Sequence, residues 1–265
     1  ISMRHGFRSL SATAGLAVIF VLTLTTAFAA RASDLPRDAS PAFVAMAAAG
    51  TDHVNDPTAC PGVIDGASLW DQLDSFTVID LRSESSYLAG HVPGARHSSL
   101  STLVDDLAGW NLPYDEPIVF ACYTGQTSGY AQIAAALLGF EHTRVLKWGM
   151  AGWNCALAGP WDDAVGDALA NPETENQNGH LTTHPFPDLP GDPDTIVAER
   201  VAAVLAEGYS GRTYASIVDD LEHYFVINSF GVADYEGQGD HGVPGHIPGA
   251  FQFTPHESLG LDQML

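Results

Sequence analysis

Cys122 stands between an apolar segment and a short polar loop, a position that suits a reactive thiol. Residues 117–121 are expected to form a buried strand, and residues 122–127 (Cys-Tyr-Thr-Gly-Gln-Thr) lead into a helical segment. A strand, a loop and a helix in this order turn backbone N–H groups toward one point, which favours an anion. The thiolate, which is the nucleophilic form of cysteine, would be stabilised there. Taken alone, the same pattern also fits a buried structural thiol.

The elements that must hold this loop alternate along residues 67–152. Short apolar runs predict strands, helical patterns fill the intervals between them, and Gly139 follows the helix that the loop opens. The expected strands are 77–81, 117–121 and 144–147, and the expected helices are 67–73, 100–107 and 128–138. This alternation is typical of an α/β domain with a mainly parallel sheet.

Four motifs in this region resemble, in order, the signatures of the rhodanese family. They are Val-Ile-Asp-Leu-Arg at 78–82, Gly-His-Val-Pro-Gly-Ala at 90–95, the loop 122–127, and Leu-Lys-Trp-Gly-Met-Ala-Gly-Trp at 146–153. The resemblance covers residues 62–154, and it covers 213–265 as the front half of a second, partial domain. It implies a rhodanese-like parallel sheet flanked by helices, duplicated along the chain.

The resemblance also implies a function, which is sulfur transfer of the thiosulfate:cyanide type. Cys122 would carry sulfane sulfur as a persulfide and pass it to a thiophilic acceptor. The other loop residues would cradle that persulfide through main-chain donors; they are Tyr123, Thr124, Gly125, Gln126 and Thr127. The expected partners are a small-molecule sulfur donor, the acceptor and possible protein acceptors of sulfur.

Charge near the loop bears on which donor it uses. The loop carries no charged side chain, whereas thiosulfate-using relatives often place cations there. The sequence therefore favours a donor that depends less on cationic binding than thiosulfate does. Arg82 is a candidate substrate-binding cation, because it follows the strand that carries Asp80. A salt bridge that fastens a loop is the alternative.

Residues 171–195 are rich in Pro, Gly, Asn and Asp, and they are expected to form a linker. Beyond it the chain repeats itself: the segment 67–73 aligns with 215–221, and His-Val-Pro-Gly-Ala recurs as His-Ile-Pro-Gly-Ala at 246–250. The same turn after the same strand predicts an internal duplication.

Four further residues admit two interpretations each. His91 and His246 could act as general bases, but each begins a Pro-Gly turn, which favours a structural role. Trp148 and Trp153 are expected to pack the end of the domain, and an active-site wall is the alternative.

Other functions must be weighed against sulfur transfer. Dual-specificity phosphatases use a similar fold with an arginine closing the loop, and here Thr127 is followed by Ser128 and Gly129, so the phosphate clamp is missing. A non-catalytic binding module, or a persulfide carrier that serves a partner protein, remains the open alternative.

The whole chain has a formal net charge of −22, with 32 acidic and 10 basic residues among its 265. Such a surface repels phosphate backbones and anionic lipid, so nucleic acid and membrane surfaces are not expected partners. Residues 1–32 resemble a secretory signal peptide, with Arg4 and Arg8 before an apolar run and small residues after it. A periplasmic or secreted protein is predicted, and a retained membrane anchor is the alternative.

Three cysteines leave at least one thiol free. Cys60 and Cys155 could pair or could both be buried free thiols. The spacing of cysteines and histidines fits no metal site, and neither a metal nor a cofactor is expected.

Overall fold

The computed structural model describes residues 40–42, 44–45, 62–163, 172–177, 188–239 and 245–254. The predicted signal peptide and Cys60 lie outside these residues. The linker 171–195 and the second unit 213–265 are described in part.

The central element is a five-stranded sheet in which every pair of neighbours is parallel. Its strands are β1 (Val63–Ile64), β2 (Thr77–Asp80), β3 (Arg96–His97), β4 (Ile118–Ala121) and β5 (Thr143–Leu146). Their order across the sheet is β1-β5-β4-β2-β3. The predicted α/β class with a parallel sheet is confirmed.

Helices fill the intervals between these strands. They are α1 (Gly66–Trp70), α2 (Glu84–Ala89), α3 (Leu103–Gly109) and α4 (Gln126–Leu137), followed by α5 (Gly149–Trp153) and α6 (Gly159–Asp162). Short 3-10 turns lie at Leu73–Ser75 and Cys155–Leu157. The predicted strands and helices are confirmed to within a few residues, and α4 begins two residues earlier than predicted, inside the loop 122–127.

Two hydrophobic clusters cover the two faces of the sheet. Side chains alternate along each strand, so Ile118 and Phe120 belong to one cluster while Val119 and Ala121 belong to the other. All four are fully buried. The continuous apolar run 118–121 is therefore explained by a central strand that is covered on both faces.

A helix after the linker completes one of these clusters. In α7 (Ile196–Glu207), Val201 and Leu205 are buried in the same cluster as Ala131 and Ala134 of α4. Sequence reasoning assigned α7 to no domain. Its packing places it with the first unit, against the helix that follows Cys122.

The second unit contains a smaller parallel pair. After 3-10 turns at Tyr214–Ser216 and Val218–His223, the chain forms β6 (Ile227–Asn228), α8 (Val232–Tyr235) and β7 (Phe251–Gln252). β6 pairs with β7 in parallel, as β2 pairs with β3.

The turns in the two units share their side-chain contacts. Tyr87 donates to the carbonyl of Ala95 at 2.6 Å, and Tyr235 donates to that of Ala250 at 2.6 Å. The ring of His91 stacks on Tyr87 at 3.9 Å between centroids, and that of His246 stacks on Tyr235 at 3.6 Å. In both units, Nδ1 of the histidine lies 2.7 Å from the main-chain oxygen of that tyrosine. These contacts give both histidines the structural role that the sequence favours.

Candidate active site

The Cys122 thiol lies directly after β4, at the edge of the sheet where parallel strands end. The residue is 2% exposed. Its Sγ accepts a hydrogen bond from the main-chain N–H of Gly125 at 3.1 Å, and the Ser128 hydroxyl lies 3.4 Å from it. Both groups are placed to donate a hydrogen bond to the sulfur. Gly125 caps α4 with a φ of +103°, a left-handed conformation that glycine adopts without a steric penalty.

Ser128 is a site residue that sequence reasoning missed. It is fully buried in the first turn of α4, and its Oγ lies within reach of both Sγ and the carbonyl of Gly125, the latter at 2.9 Å. One hydroxyl proton can serve only one of these acceptors at a time. The sequence did offer one sign of this role. Ser128 lies three residues after Gly125, and residues i and i+3 lie on the same face of a helix.

The first turn of α5 holds the active loop in place. Met150 N–H donates to the carbonyl of Cys122 at 2.8 Å, and Ala151 N–H donates to that of Tyr123 at 3.2 Å. Gly149 is buried against the same backbone. A β-carbon at Gly149 would stand 2.5 Å from the Cys122 oxygen and 2.7 Å from the Thr124 nitrogen. The two segments can approach this closely only because residue 149 has no side chain.

An open cavity of about 910 Å³ leads to the thiol. The loop 122–127 forms one side of the cavity, so all six loop residues predicted for the site lie together there. The remaining lining residues are Val63, Val145, Lys147, Trp148, Pro160 and Trp161. We call this space the Cys122 cavity. It is large enough for a small organic molecule.

Arg82 is not among the residues that line the Cys122 cavity. Its guanidinium is buried and pairs with the carboxylate of Asp80, with Nη2 to Oδ2 at 2.7 Å and Nε to Oδ1 at 3.0 Å. A third bond from Nη2 reaches the carbonyl of Gly90 at 2.6 Å. The structure thus gives Arg82 the alternative role, which is a salt bridge that fastens the segment after β2.

Tyr123 is tied to the start of α2. Its phenol oxygen lies 3.1 Å from Oγ of Ser83 and 2.8 Å from Oγ of Ser86. These hydrogen bonds lower the pKa of Tyr123, and the bond with Ser83 has the larger effect. The nearby Arg82 cation also lowers this pKa, whereas burial raises it by less than the hydrogen bonds lower it. The bonds fix the ring at the side of the loop.

The tryptophans divide between the two interpretations. Trp153 packs against the core and contacts Trp70, with ring centroids 5.8 Å apart. Trp148 instead lines the Cys122 cavity beside Trp161. Its φ of +62° is unusual for a residue with a side chain. Trp148 therefore lines the cavity, as the alternative interpretation expects, and it also contacts Trp161 at the end of the domain, with ring centroids 5.0 Å apart.

Three other observations concern thiols, metals and membranes. Cys155 is a free thiol that is exposed and not buried. Its pairing with Cys60, which the sequence leaves open, concerns a residue outside the described ones. The ligand atoms of Asp220, Glu222 and His223 lie within 4.8 Å of one another, but an exposed acidic group alone does not define a metal site.

Within the described ranges, no helix is both long and apolar enough to cross a membrane.

The sheet, the loop and the buried thiol together define a rhodanese-like domain. A sequence profile of the rhodanese-like domain family matches residues 65–156. The chain is 34% identical over 91 residues to the thiosulfate sulfurtransferase GlpE of Pseudomonas paraeruginosa. The aligned residues make up 34% of this chain and 79% of that protein. It therefore belongs to the rhodanese-like family. The matched residues form a single domain, so the predicted duplication stays a prediction.

Two further relatives were found. The GlpE protein of Pseudoalteromonas translucida is 29% identical over 85 residues, which are 32% of this chain and 79% of that protein. A rhodanese-related protein from Thermoplasma volcanium, known from its crystal structure, is 23% identical in sequence to this chain. The aligned residues make up 35% of this chain and 89% of that one, and the two structures superpose with a TM-score of 0.32.

Proposed function

We propose that this protein is an exported sulfurtransferase that carries sulfane sulfur as a persulfide on Cys122. The observation that carries the proposal is the buried Sγ at the foot of an open cavity, where two hydrogen-bond donors meet it. A structural thiol needs neither the cavity nor the donors. The similarity to thiosulfate sulfurtransferases supports the same chemistry.

The reaction takes place in two nucleophilic steps. The Cys122 thiolate attacks the outer sulfur of a donor such as thiosulfate, so that a new S–S bond forms, the old S–S bond breaks and sulfite leaves with the electron pair. A thiophilic acceptor such as cyanide then attacks the outer persulfide sulfur, which yields thiocyanate and restores the thiolate. The N–H of Gly125 and the hydroxyl of Ser128 stabilise the negative sulfur at the start and end of the cycle.

The test is direct detection of the persulfide. Wild-type protein incubated with thiosulfate should gain the mass of one sulfur atom, and adding cyanide should remove it while thiocyanate appears. Cys122→Ser should lose both signals and keep its fold, because a hydroxyl cannot hold sulfane sulfur. Cys155→Ser is the matched control and should behave as wild type, since its thiol is exposed and lies outside the Cys122 cavity. Equal turnover in the Cys122→Ser variant would refute the proposal.

A persulfide carrier for a partner protein is the second candidate, since the Cys122 cavity is open to solvent. The two candidates differ in turnover. A carrier would form one persulfide per chain and release it slowly to cyanide and other small acceptors, whereas an enzyme would cycle with several small-molecule donors.

We also propose that the second unit is a rhodanese-like repeat. Its parallel β6–β7 pair and the stacked Tyr235–His246 pair match β2–β3 and Tyr87–His91. Amide hydrogen exchange tests this arrangement, because the N–H of Phe253 donates to the carbonyl of Asn228 at 2.9 Å. That amide should be protected, and exchange at the rate of an unstructured peptide would contradict the repeat.

A further inference from the structure

A second groove lies between α4 and α7, the helix that follows the linker. Its volume is about 370 Å³, which is at the lower end of the range for small-molecule sites. Its apolar walls include Ile133 and Leu137 of α4 and Val201 and Val204 of α7. We call this space the α4–α7 groove. It shares no lining residue with the Cys122 cavity.

The walls of the groove leave apolar surface open to solvent. Ile133 is 42% exposed and Val204 is 41% exposed. Tyr130 also lines the groove, and its hydroxyl already donates to the carbonyl of Val204 at 3.4 Å, so it presents the apolar part of its ring. An alkyl group that fills the groove removes this surface from water, which favours binding.

Arg200 is the charged residue among those that line the groove. The other four arginines of the described ranges have partners, which are a carboxylate for Arg82, a main-chain oxygen for Arg212, and aromatic rings for Arg96 and Arg144. Within those ranges, the Arg200 side chain has no ion pair, hydrogen bond or ring contact. Its guanidinium stays charged in proteins, and it is therefore available to an anion.

We propose that the α4–α7 groove binds a small amphiphilic anion of the medium-chain carboxylate class. Arg200 binds the carboxylate, and the apolar walls contact the alkyl chain. Charge selects this ligand, because a neutral apolar molecule leaves Arg200 unused and a cationic one is repelled by it. The site is separate from the Cys122 cavity, so the inference goes beyond the proposed function and does not depend on it.

The experiment follows the methyl signals of the full chain by NMR, because these signals report binding at the groove itself. Octanoate is compared with hexanoate and with octylammonium, which has the same alkyl chain and a positive charge. We expect octanoate to shift the Ile133 and Val204 methyl signals and to bind about 10-fold more tightly than hexanoate, since two further methylenes leave water. Octylammonium should bind there about 10-fold more weakly than octanoate. The net charge of −22 attracts octylammonium and repels octanoate, so this preference requires a local cation.

Variants test the two parts of the groove. Arg200→Gln should weaken octanoate binding about 5-fold, the value of one ion pair close to water, and should keep the preference over hexanoate. Arg212→Gln, which removes an exposed arginine elsewhere, should bind as wild type. Val204→Trp should abolish the Ile133 shift, because a larger side chain there occupies the space of the alkyl chain. Val232→Trp, at a partly exposed position of α8, is the matched control and should keep the shift.

Several results would overturn the proposal. They are the absence of shifts at the groove with millimolar octanoate, octylammonium binding as tight as that of octanoate, and unchanged affinity in Arg200→Gln. Methyl signals of the groove that move with protein concentration alone would show that a second copy of the chain covers it, which also contradicts the proposal. Cys122→Ser should bind octanoate as wild type does, so failure of sulfur transfer and failure of this site are separate results.

Discussion

Gly149→Ala should disable the active loop without changing any residue that touches the donor. An added β-carbon would stand 2.5 Å from the Cys122 oxygen, 2.7 Å from the Thr124 nitrogen and 2.8 Å from the Gly125 nitrogen. All three are backbone atoms, which no side-chain rotation can move aside. Because the Gly125 N–H is the donor to Sγ, a shift of the loop that relieves the clash also moves this hydrogen bond.

The expected cost has two parts. Alanine at a φ of +57° loses about 1 kcal/mol relative to glycine, because the left-handed region is unfavourable for a residue with a side chain. Forcing a methyl group into a packed position adds about 1–3 kcal/mol. We therefore expect the free energy of unfolding to fall by about 2–4 kcal/mol. Displacement of the donor should lower kcat/KM by about 100-fold, the order of loss when one charge-stabilising donor is removed.

The control is Gly94→Ala. Gly94 also has a left-handed φ of +77°, but a β-carbon there meets no atom within 4 Å, so only the conformational cost of about 1 kcal/mol applies. Urea unfolding gives the stability of both variants, and thiocyanate formation gives their rates at a temperature where both are folded. The reasoning is refuted if the two variants lose the same stability and the same rate, or if Gly149→Ala transfers sulfur as fast as wild type.

Three further predictions concern residues around the loop. Ser128→Ala should lower kcat/KM by about 10-fold, because it removes a donor to a charged sulfur; an unchanged rate would mean that the hydroxyl serves only the carbonyl of Gly125. Tyr123→Phe should remove from the tyrosinate absorbance titration a step that lies below the ordinary pKa of a phenol, since the hydrogen bonds from Ser83 and Ser86 lower the pKa of that phenol; a titration identical to wild type would contradict the assignment. Turnover of thiosulfate should rise as salt is added, because a net charge of −22 repels a dianion; a rate that falls with salt would show that local attraction outweighs this repulsion.

The sequence predicted the three central strands of the sheet, β2, β4 and β5, because each signal was local, and it missed the two-residue edge strands β1 and β3. The buried strand 118–121 is a continuous apolar run that ends at Cys122, and the turn at 91–95 has glycine and proline where the backbone requires them. Even the start of α4 was placed within two residues. Periodicity and turn chemistry describe short stretches of chain, and these elements depend on little else.

The contacts that sequence reasoning missed join distant parts of the chain. Periodicity could indicate an apolar face on α7, but it could not show that Val201 belongs to the same buried cluster as Ala134 of α4. In the same way, the composition around Trp161 gives no sign that this residue meets Trp148 above the Cys122 cavity. A hydrophobic pattern indicates that one face of a helix or strand is apolar, but it does not show which other element packs against that face.

The position of Lys147 shows why the composition of the loop alone is a poor guide to the donor. Cys122 follows β4 directly and Lys147 follows β5 directly, and these strands are parallel neighbours in which Phe120 pairs with Val145. Residues that follow adjacent parallel strands emerge at the same edge of a sheet, where ligands bind in α/β folds. An uncharged loop therefore does not imply an uncharged site, because the neighbouring strand delivers a cation to the same edge. The expectation of a donor with little need for a cation stays a prediction, and it was drawn from the loop alone, without Lys147.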